Sequence, residues 1–215
     1  MNRLYSLLLL YRPQGIIKAS WTVLRILILP YKKLDSLIPE SGTIVDIGCG
    51  NGGFSNYISL STSKRNVFGI DLSKKRIESA KKSIGKRKNV KFVLGDVTKI
   101  KRPSADSYLI IDVLHHIDFQ SQEKLLKFLA KKMNKNSMLI IKEVDPSNKI
   151  PFLFGHLIEK ILYPKERIYA RSKKDWGVLF RSLGLAFQTI PGVFYFPDST
   201  RVFVLRHKSS ASTRT

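Results

Sequence analysis

Between Thr43 and Ile141 the sequence alternates short apolar runs with amphipathic stretches, and this alternation restricts the fold more than any other feature. The runs Thr43–Ile47, Asn66–Ile70, Lys91–Leu94, Ser107–Ile111 and Met138–Ile141 have strand length and strand composition. The stretches between them have helical period. One helix of about 10 residues starts near Phe54. A second covers Ser73–Ile84, with Ser73 as N-cap and Gly85 as its stop. A third covers Ser121–Met133 and buries Leu125, Leu126, Phe128 and Leu129. Strands separated by helices build βαβ crossovers, and crossovers build a parallel sheet. Arg171–Leu183 then reads as a helix carrying Trp176 and Phe180, followed by two closing strands, Leu185–Ile190 and Arg201–Arg206. A chain of 215 residues buries a core without staples. Its lone cysteine, Cys49, excludes a disulfide framework and a cysteine-rich zinc site, and no metal site is expected.

The turn after the first strand concentrates glycine: Asp46-Ile47-Gly48-Cys49-Gly50-Asn51-Gly52-Gly53. Glycines there let the backbone turn tightly and approach a ligand that a Cβ would repel. The turn follows a strand and precedes a helix, and Asp71 closes the next strand, placed to accept both hydroxyls of a ribose. The spacing is G-x-G-x-G, with a carboxylate, Asp46, just ahead of it. That carboxylate repels phosphate and suits an ammonium-bearing ligand. Either Asp46 contacts the ligand, directly or through water, or it orients the loop.

The chain is strongly basic, with 38 Lys and Arg against 16 Asp and Glu and a net charge of +22. Lys64–Arg102 alone holds 14 basic residues and three acids. Such a surface is drawn to polyanions: nucleic acid, an anionic membrane or phosphorylated ligands. No RNP-type motif, zinc finger or arginine tract accompanies it, which disfavours nucleic acid. The N-terminal runs Leu4–Tyr11 and Ile16–Leu29 are apolar but broken by Pro13, Gly15 and four cations, so neither a span nor a cleaved signal is expected. In the second run Lys18, Thr22 and Arg25 form one narrow polar stripe on an otherwise apolar helix that includes Trp21. Two expectations follow. Either this helix packs on the domain, or it lies in a membrane interface with its basic stripe at the headgroups.

The segment Asp46–Gly52 resembles the first motif of class I S-adenosylmethionine-dependent methyltransferases. So do Asp71 after the second strand, Gly95-Asp96-Val97 after the third, and Asp112-Val113-Leu114-His115-His116-Ile117 after the fourth. The resemblance covers Thr43–Lys142 well and the closing strands more loosely. It implies a doubly wound α/β fold, a mostly parallel seven-stranded sheet whose last strand is antiparallel. It implies S-adenosylmethionine as cofactor, with Gly48, Gly50 and Gly52 along its methionine and ribose. Asp71 would bind the ribose hydroxyls, Asp96 and Val97 would bracket the adenine, and Asp112 would sit by the methionine end. Cys49 lies where packing is its expected role. His115 and His116, expected to begin the helix after the fourth strand, and Glu143, closing the fifth, are the candidate acid–base residues. For Glu143 a structural salt bridge is the competing role.

The Leu-His-His version of the fourth motif resembles methyltransferases of small molecules and lipids, not the N/D-P-P-Y/F stretch of amino-methylating nucleic-acid enzymes. The implied layout is an apolar extension over 1–40, a methyltransferase domain over 41–208 with an apolar insertion at 150–164, and a frayed tail at 209–215. The implied activity is methyl transfer to a small, apolar or lipid-like acceptor, in a cytoplasmic protein with peripheral membrane association. An RNA-directed methyltransferase and a cofactor-binding protein without catalysis are the alternatives. Every cofactor motif follows Thr43, so removal of residues 1–30 should leave cofactor binding intact.

Overall fold

The computed structural model describes residues 2–28, 31–100, 104–147, 149, 152–153, 157, 167–190 and 200–208. The tail at 209–215 lies outside them, as does the 150–164 insertion apart from 152, 153 and 157. Seven strands order as β3-β2-β1-β4-β5-β7-β6. They are β1 (Gly42–Ile47), β2 (Arg65–Asp71), β3 (Val90–Leu94), β4 (Ser107–Ile111), β5 (Met138–Val144), β6 (Leu185–Ile190) and β7 (Thr200–His207). The expected doubly wound sheet is therefore present, with β7 antiparallel to both β5 and β6. By its contacts the chain divides into two compact units, one running to Leu109 and the other beginning at Ile110.

In the first unit β1 pairs with β2 and β2 with β3, all parallel and without a slip. Their inward residues, among them Ile44, Val45, Ile47, Val67, Ile70 and Phe92, are buried. The helix after the glycine turn, α4 (Gly53–Ser59), is shorter than the sequence pattern suggests. The next helix, α5 (Lys74–Lys82), starts where expected, with the Ser73 hydroxyl accepting from the Arg76 amide.

The N-terminal segment belongs to this unit. It folds as α1 (Arg3–Tyr11), a short 3₁₀ turn and α2 (Ile16–Ile28), followed by α3 (Tyr31–Asp35). Leu7 and Tyr11 are 0% exposed. Arg3 reaches the Asp35 carboxylate, which also pairs with the buried Arg65. Gln14 and Ser79 exchange two hydrogen bonds of 3.0 and 2.8 Å. The packing expectation therefore holds for this segment.

The stripe on α2 does not face outward as a unit. Thr22 is buried, with its hydroxyl donating to the Lys18 carbonyl. Its methyl carbon lies 3.7 Å from where a Cβ on Gly53 would stand. Ala19 is buried on the same side. Small side chains let the helix approach α4 closely, and among the described residues of α2 it is Ala19 and Thr22 that are buried. Ile16 and Ile17 are left 77% and 84% exposed.

In the second unit the antiparallel ladder β5–β7–β6 carries α6 (Phe119–Lys132) and α7 (Lys173–Ser182). Helix α6 begins two residues before the expected start, because the Asp118 side chain caps it by accepting from the Ser121 amide. Ser172 and Asp175 close a capping box on α7. Trp176, Phe180 and Phe203 are buried there, with Phe180 edge-on to Phe203 and Phe187.

Candidate active site

The glycine turn is held by backbone and carboxylate together. The amides of Gly48 and Cys49 both donate to the Ile70 carbonyl. The amide of Gly50 donates to Asp71 Oδ2 at 2.8 Å, and Asp71 Oδ1 accepts from the Ser73 amide at 2.8 Å. Asp71 is thus the keystone of the turn as well as the residue at its rim. Each carboxylate oxygen keeps a lone pair for a further donor.

The glycines do different work. Gly50 has φ +55° and nothing within 4 Å of where its Cβ would be, so it faces open space, as a ligand cradle requires. Gly52 has φ +81°, and its Cβ would meet Phe92 at 2.5 Å and Ala80 at 3.1 Å. The sequence assigned both to the cofactor lining; the space at Gly52 is taken by the core. Gly50→Val meets no neighbouring atom but strains the turn at φ +55°, so cofactor affinity should fall at least tenfold with a modest loss of stability. Gly52→Ala should lower the melting temperature first, because Phe92 has to move. Calorimetry with S-adenosylhomocysteine and thermal melts separate the two; a Gly50 variant that binds normally would remove the cradle.

Asp46 is buried, and the Ser55 hydroxyl donates to it. Burial pushes its carboxyl up to about 6; the Asp71 charge adds to this and the Ser55 hydrogen bond opposes it. That environment fits the loop-orienting role. Cys49 is half-buried, and burial pushes its thiol up, which leaves it inert as a nucleophile. Asp96 is accessible and folds back on Thr98, whose amide and hydroxyl both donate to it at 2.8 Å. These bonds hold its carboxyl below the usual range. Val97 beside it is half-buried.

A residue absent from the sequence expectations completes this half. Tyr11 Oη donates to the Asn51 carbonyl at 2.7 Å and accepts from Asn56 Nδ2 at 2.8 Å. Asn56 also donates to Ser83 Oγ at 2.7 Å and accepts from Arg87 at 2.5 Å. Helix α1 therefore touches the glycine turn itself. Nothing in Leu7-Leu8-Leu9-Leu10-Tyr11 announces this, since the partner is a main-chain carbonyl 40 residues on.

In the second unit Asp112 has φ +55°, a conformation Asp tolerates better than most residues. Its carboxylate takes a 2.6 Å ion pair from Lys142 Nζ, and its amide donates to the Lys142 carbonyl at 2.9 Å. Lys142 is buried inside an apolar strand. Its signal in the sequence was a lysine within Met138–Val144 that needed an acid on a neighbouring strand.

His115 and His116 do not begin a helix. They close a 3₁₀ turn over Leu114–His116, ahead of α6. The reason is Glu143, which lies within β5, not at its end. Its Oε1 accepts from the amides of Val113 and Leu114 at 2.9 and 2.6 Å, and its Oε2 meets His115 Nδ1 at 2.6 Å. His115 and Glu143 are 2% and 1% exposed. The tautomer follows from chemistry, because a carboxylate only accepts and so Nδ1 carries the proton. His116 is half-buried, with its ring centroid 4.1 Å from that of His115. Gln122 braces the turn by donating to the carbonyls of Leu114, Ile117 and Tyr169. No metal-binding cluster of His, Cys, Asp and Glu occurs among the described residues.

Comparison with known proteins agrees with this architecture. Residues 44–136 match the family model described as a methyltransferase domain. The chain is 26% identical over 170 residues to a probable (S)-tetrahydroprotoberberine N-methyltransferase of Papaver bracteatum, covering 77% of this chain and 43% of that protein. It is 38% identical over 74 residues to a malonyl-[acyl-carrier protein] O-methyltransferase of Halalkalibacterium halodurans, covering 34% and 27%. The chain thus spans less than half the length of either relative. Among solved structures, magnesium protoporphyrin IX methyltransferase from Synechocystis, with bound SAH, superposes with a TM-score of 0.64 at 18% identity, covering 83% of this chain and 82% of that one. Residues 44–136, rather under half of the chain, thus match a methyltransferase domain, and the seven-stranded sheet around them has the fold of the solved methyltransferases it superposes on.

Proposed function

We propose that the chain binds S-adenosylmethionine and transfers its methyl group to a small, apolar or lipid-like acceptor at an anionic membrane surface. The observation that carries the cofactor is the open space at Gly50, on a backbone whose amide is tied to Asp71. Gly48 and Gly50 would follow the methionine and ribose, Asp71 would take the ribose hydroxyls, and Asp96 and Val97 the adenine. Asp112 is the candidate for the methionine end. The bound cofactor supplies a methyl group already activated on a sulfonium, so the chain's own work is binding, alignment and exclusion of water. Of the acid–base candidates, His115 and Glu143 hold each other at 2.6 Å in a site almost closed to water, and His116 stands beside them, half-buried. The relatives' names support a small acceptor, an alkaloid nitrogen in one case and a carrier-bound malonyl group in the other.

The membrane arm rests on the α1–α2 hairpin. Ile16 and Ile17 project from its tip beside Lys18. Burial, and then the charges of Lys82 and Lys75, push the Lys18 ammonium down. Inserted isoleucines contribute about 1.5–3 kcal/mol each, and each cation about 1 kcal/mol near an anionic surface. No described helix is long and apolar enough to cross a membrane.

The decisive experiment pairs two measurements on the wild-type chain. Calorimetry with S-adenosylhomocysteine tests the cofactor, and a radiolabelled-methyl assay on membrane extract tests transfer. Binding without transfer to any fraction would favour the non-catalytic alternative. For the surface, the protein should pellet with phosphatidylcholine–phosphatidylserine vesicles, not with phosphatidylcholine alone, and high salt should release it. Ile16→Asp with Ile17→Asp should abolish pelleting. Retention on RNA without vesicle binding would favour the RNA-directed alternative instead.

A further inference from the structure

A cavity of about 440 Å³ opens in the second unit between α7, the turn after β5, and strands β6 and β7. Lys173, Lys174, Arg181 and Arg201 line it, with Asp145 as the one carboxylate. That carboxylate is already matched: Asp145 Oδ2 accepts from Arg201 Nε at 2.6 Å, and Oδ1 from the Ser147 amide at 2.9 Å. Lys173, Lys174 and Arg181 form no ion pair with any described residue. Three exposed cations without an ion pair among the described residues therefore line one open depression, an arrangement that an anion relieves.

One aromatic ring, Phe187, lies against the charged stripe. Lys173, Gly177 and Arg181 fall at i, i+4 and i+8, so they form one stripe on α7. Its middle position has no side chain. A Cβ at Gly177 would stand 3.0 Å from Phe187 Cζ and 3.4 Å from Arg181 Nη1. A glycine inside a helix costs about 1 kcal/mol relative to alanine, and here it lets the Phe187 ring close one side of the cavity. The cavity thus offers an aromatic surface and a cluster of cations to one ligand.

Its position ties it to the candidate site. Arg201 is the cross-strand register partner of Glu143, and Asp145 follows Glu143 by two residues. Both stand on the side of the sheet from which Glu143 reaches His115, since residues directly opposite or two apart share a face.

We infer that this cavity binds the anionic end of an amphiphilic acceptor, a phosphate or carboxylate carried on an apolar body. As an anchoring subsite for the acceptor it rests on the methyl-transfer reading, and it narrows the acceptor class from apolar to amphiphilic and anionic.

The test is calorimetric titration of the full chain with dodecyl phosphate below its micellar concentration. Inorganic phosphate and dodecyltrimethylammonium serve as comparison probes. The expected order is dodecyl phosphate well ahead of inorganic phosphate, with no binding of the cationic amphiphile. Lys173→Gln with Arg181→Gln should weaken dodecyl phosphate at least tenfold. Lys86→Gln with Lys88→Gln removes the same charge from an exposed loop of the first unit and should change affinity less than twofold. Equal weakening by the two pairs would overturn the inference, because the general field of a +22 chain would then explain binding. Equal affinity for inorganic phosphate, or binding of the cationic amphiphile, would overturn it as well. S-adenosylhomocysteine titrated into the same samples keeps the two readings apart: its failure removes the cofactor, whereas failure of dodecyl phosphate alone removes only this subsite.

Discussion

Removing residues 1–30 is expected to abolish both cooperative unfolding of the first unit and cofactor binding. The segment supplies Leu7, Tyr11 and Ala19 to the core, and each is at most 1% exposed. Truncating one buried aromatic side chain typically costs about 3–5 kcal/mol, and whole domains are stable by only about 5–15 kcal/mol. The deletion also strips Arg3 from Asp35 and Gln14 from Ser79. Tyr11→Phe isolates the local effect. It keeps the ring but removes the donor to the Asn51 carbonyl and the acceptor of Asn56 Nδ2. Leaving such buried groups unmatched costs about 1–3 kcal/mol each. The phenylalanine variant should still melt cooperatively, at a lower temperature, and should bind S-adenosylhomocysteine more weakly because the glycine turn loses a strut. Circular dichroism melts and calorimetry read both. A truncated chain with a sharp melt and wild-type affinity would make the extension separable, as the sequence alone suggested.

That contrast marks what the sequence could carry. The strands, the glycine turn and the acids closing each strand were legible because they are local. An apolar run of strand length, a glycine where φ must be positive and an acid at a strand end are each written in consecutive residues. Ser73 was legible as a helix N-cap for the same reason, although the helix ends at Lys82, short of the expected stop at Gly85. Long-range partners were not. Tyr11 bonds a carbonyl 40 positions away, and Glu143 holds Leu114–His116 in a tight 3₁₀ turn from another strand, where local pattern alone led to the expectation that the two histidines begin the following helix. Hydropathy left open whether the apolar face of α2 packs on the domain or meets a membrane interface. Close packing on α4 selected the small Ala19 and Thr22. Lys142 had a visible anomaly, a charge in an apolar strand, but its partner Asp112 emerges only from the strand order β4–β5.

Glu143→Ala should be the most damaging single substitution in the second unit, and its effect should appear in stability before activity. The carboxylate makes three contacts: two backbone amides on one oxygen and His115 Nδ1 on the other. Alanine leaves those donors without an acceptor in a site almost closed to water. Leaving three buried donors without their acceptor costs about 1–3 kcal/mol each. For a chain of this size each kcal/mol shifts the midpoint by about 2–4 °C, so a fall on the order of 10 °C is expected. Glu143→Gln should fall less, because its amide oxygen can still accept from Val113 and Leu114. Its nitrogen, however, donates, so His115 must give up the Nδ1 proton and carry it on Nε2 instead. The His115 ring signals in a nitrogen-15 NMR spectrum should report that change of tautomer. If Glu143→Ala melts within about 3 °C of wild type, the pair is not a structural strut. Its burial would then have to be explained by chemistry on the acceptor, and His115 would displace His116 as the acid–base candidate.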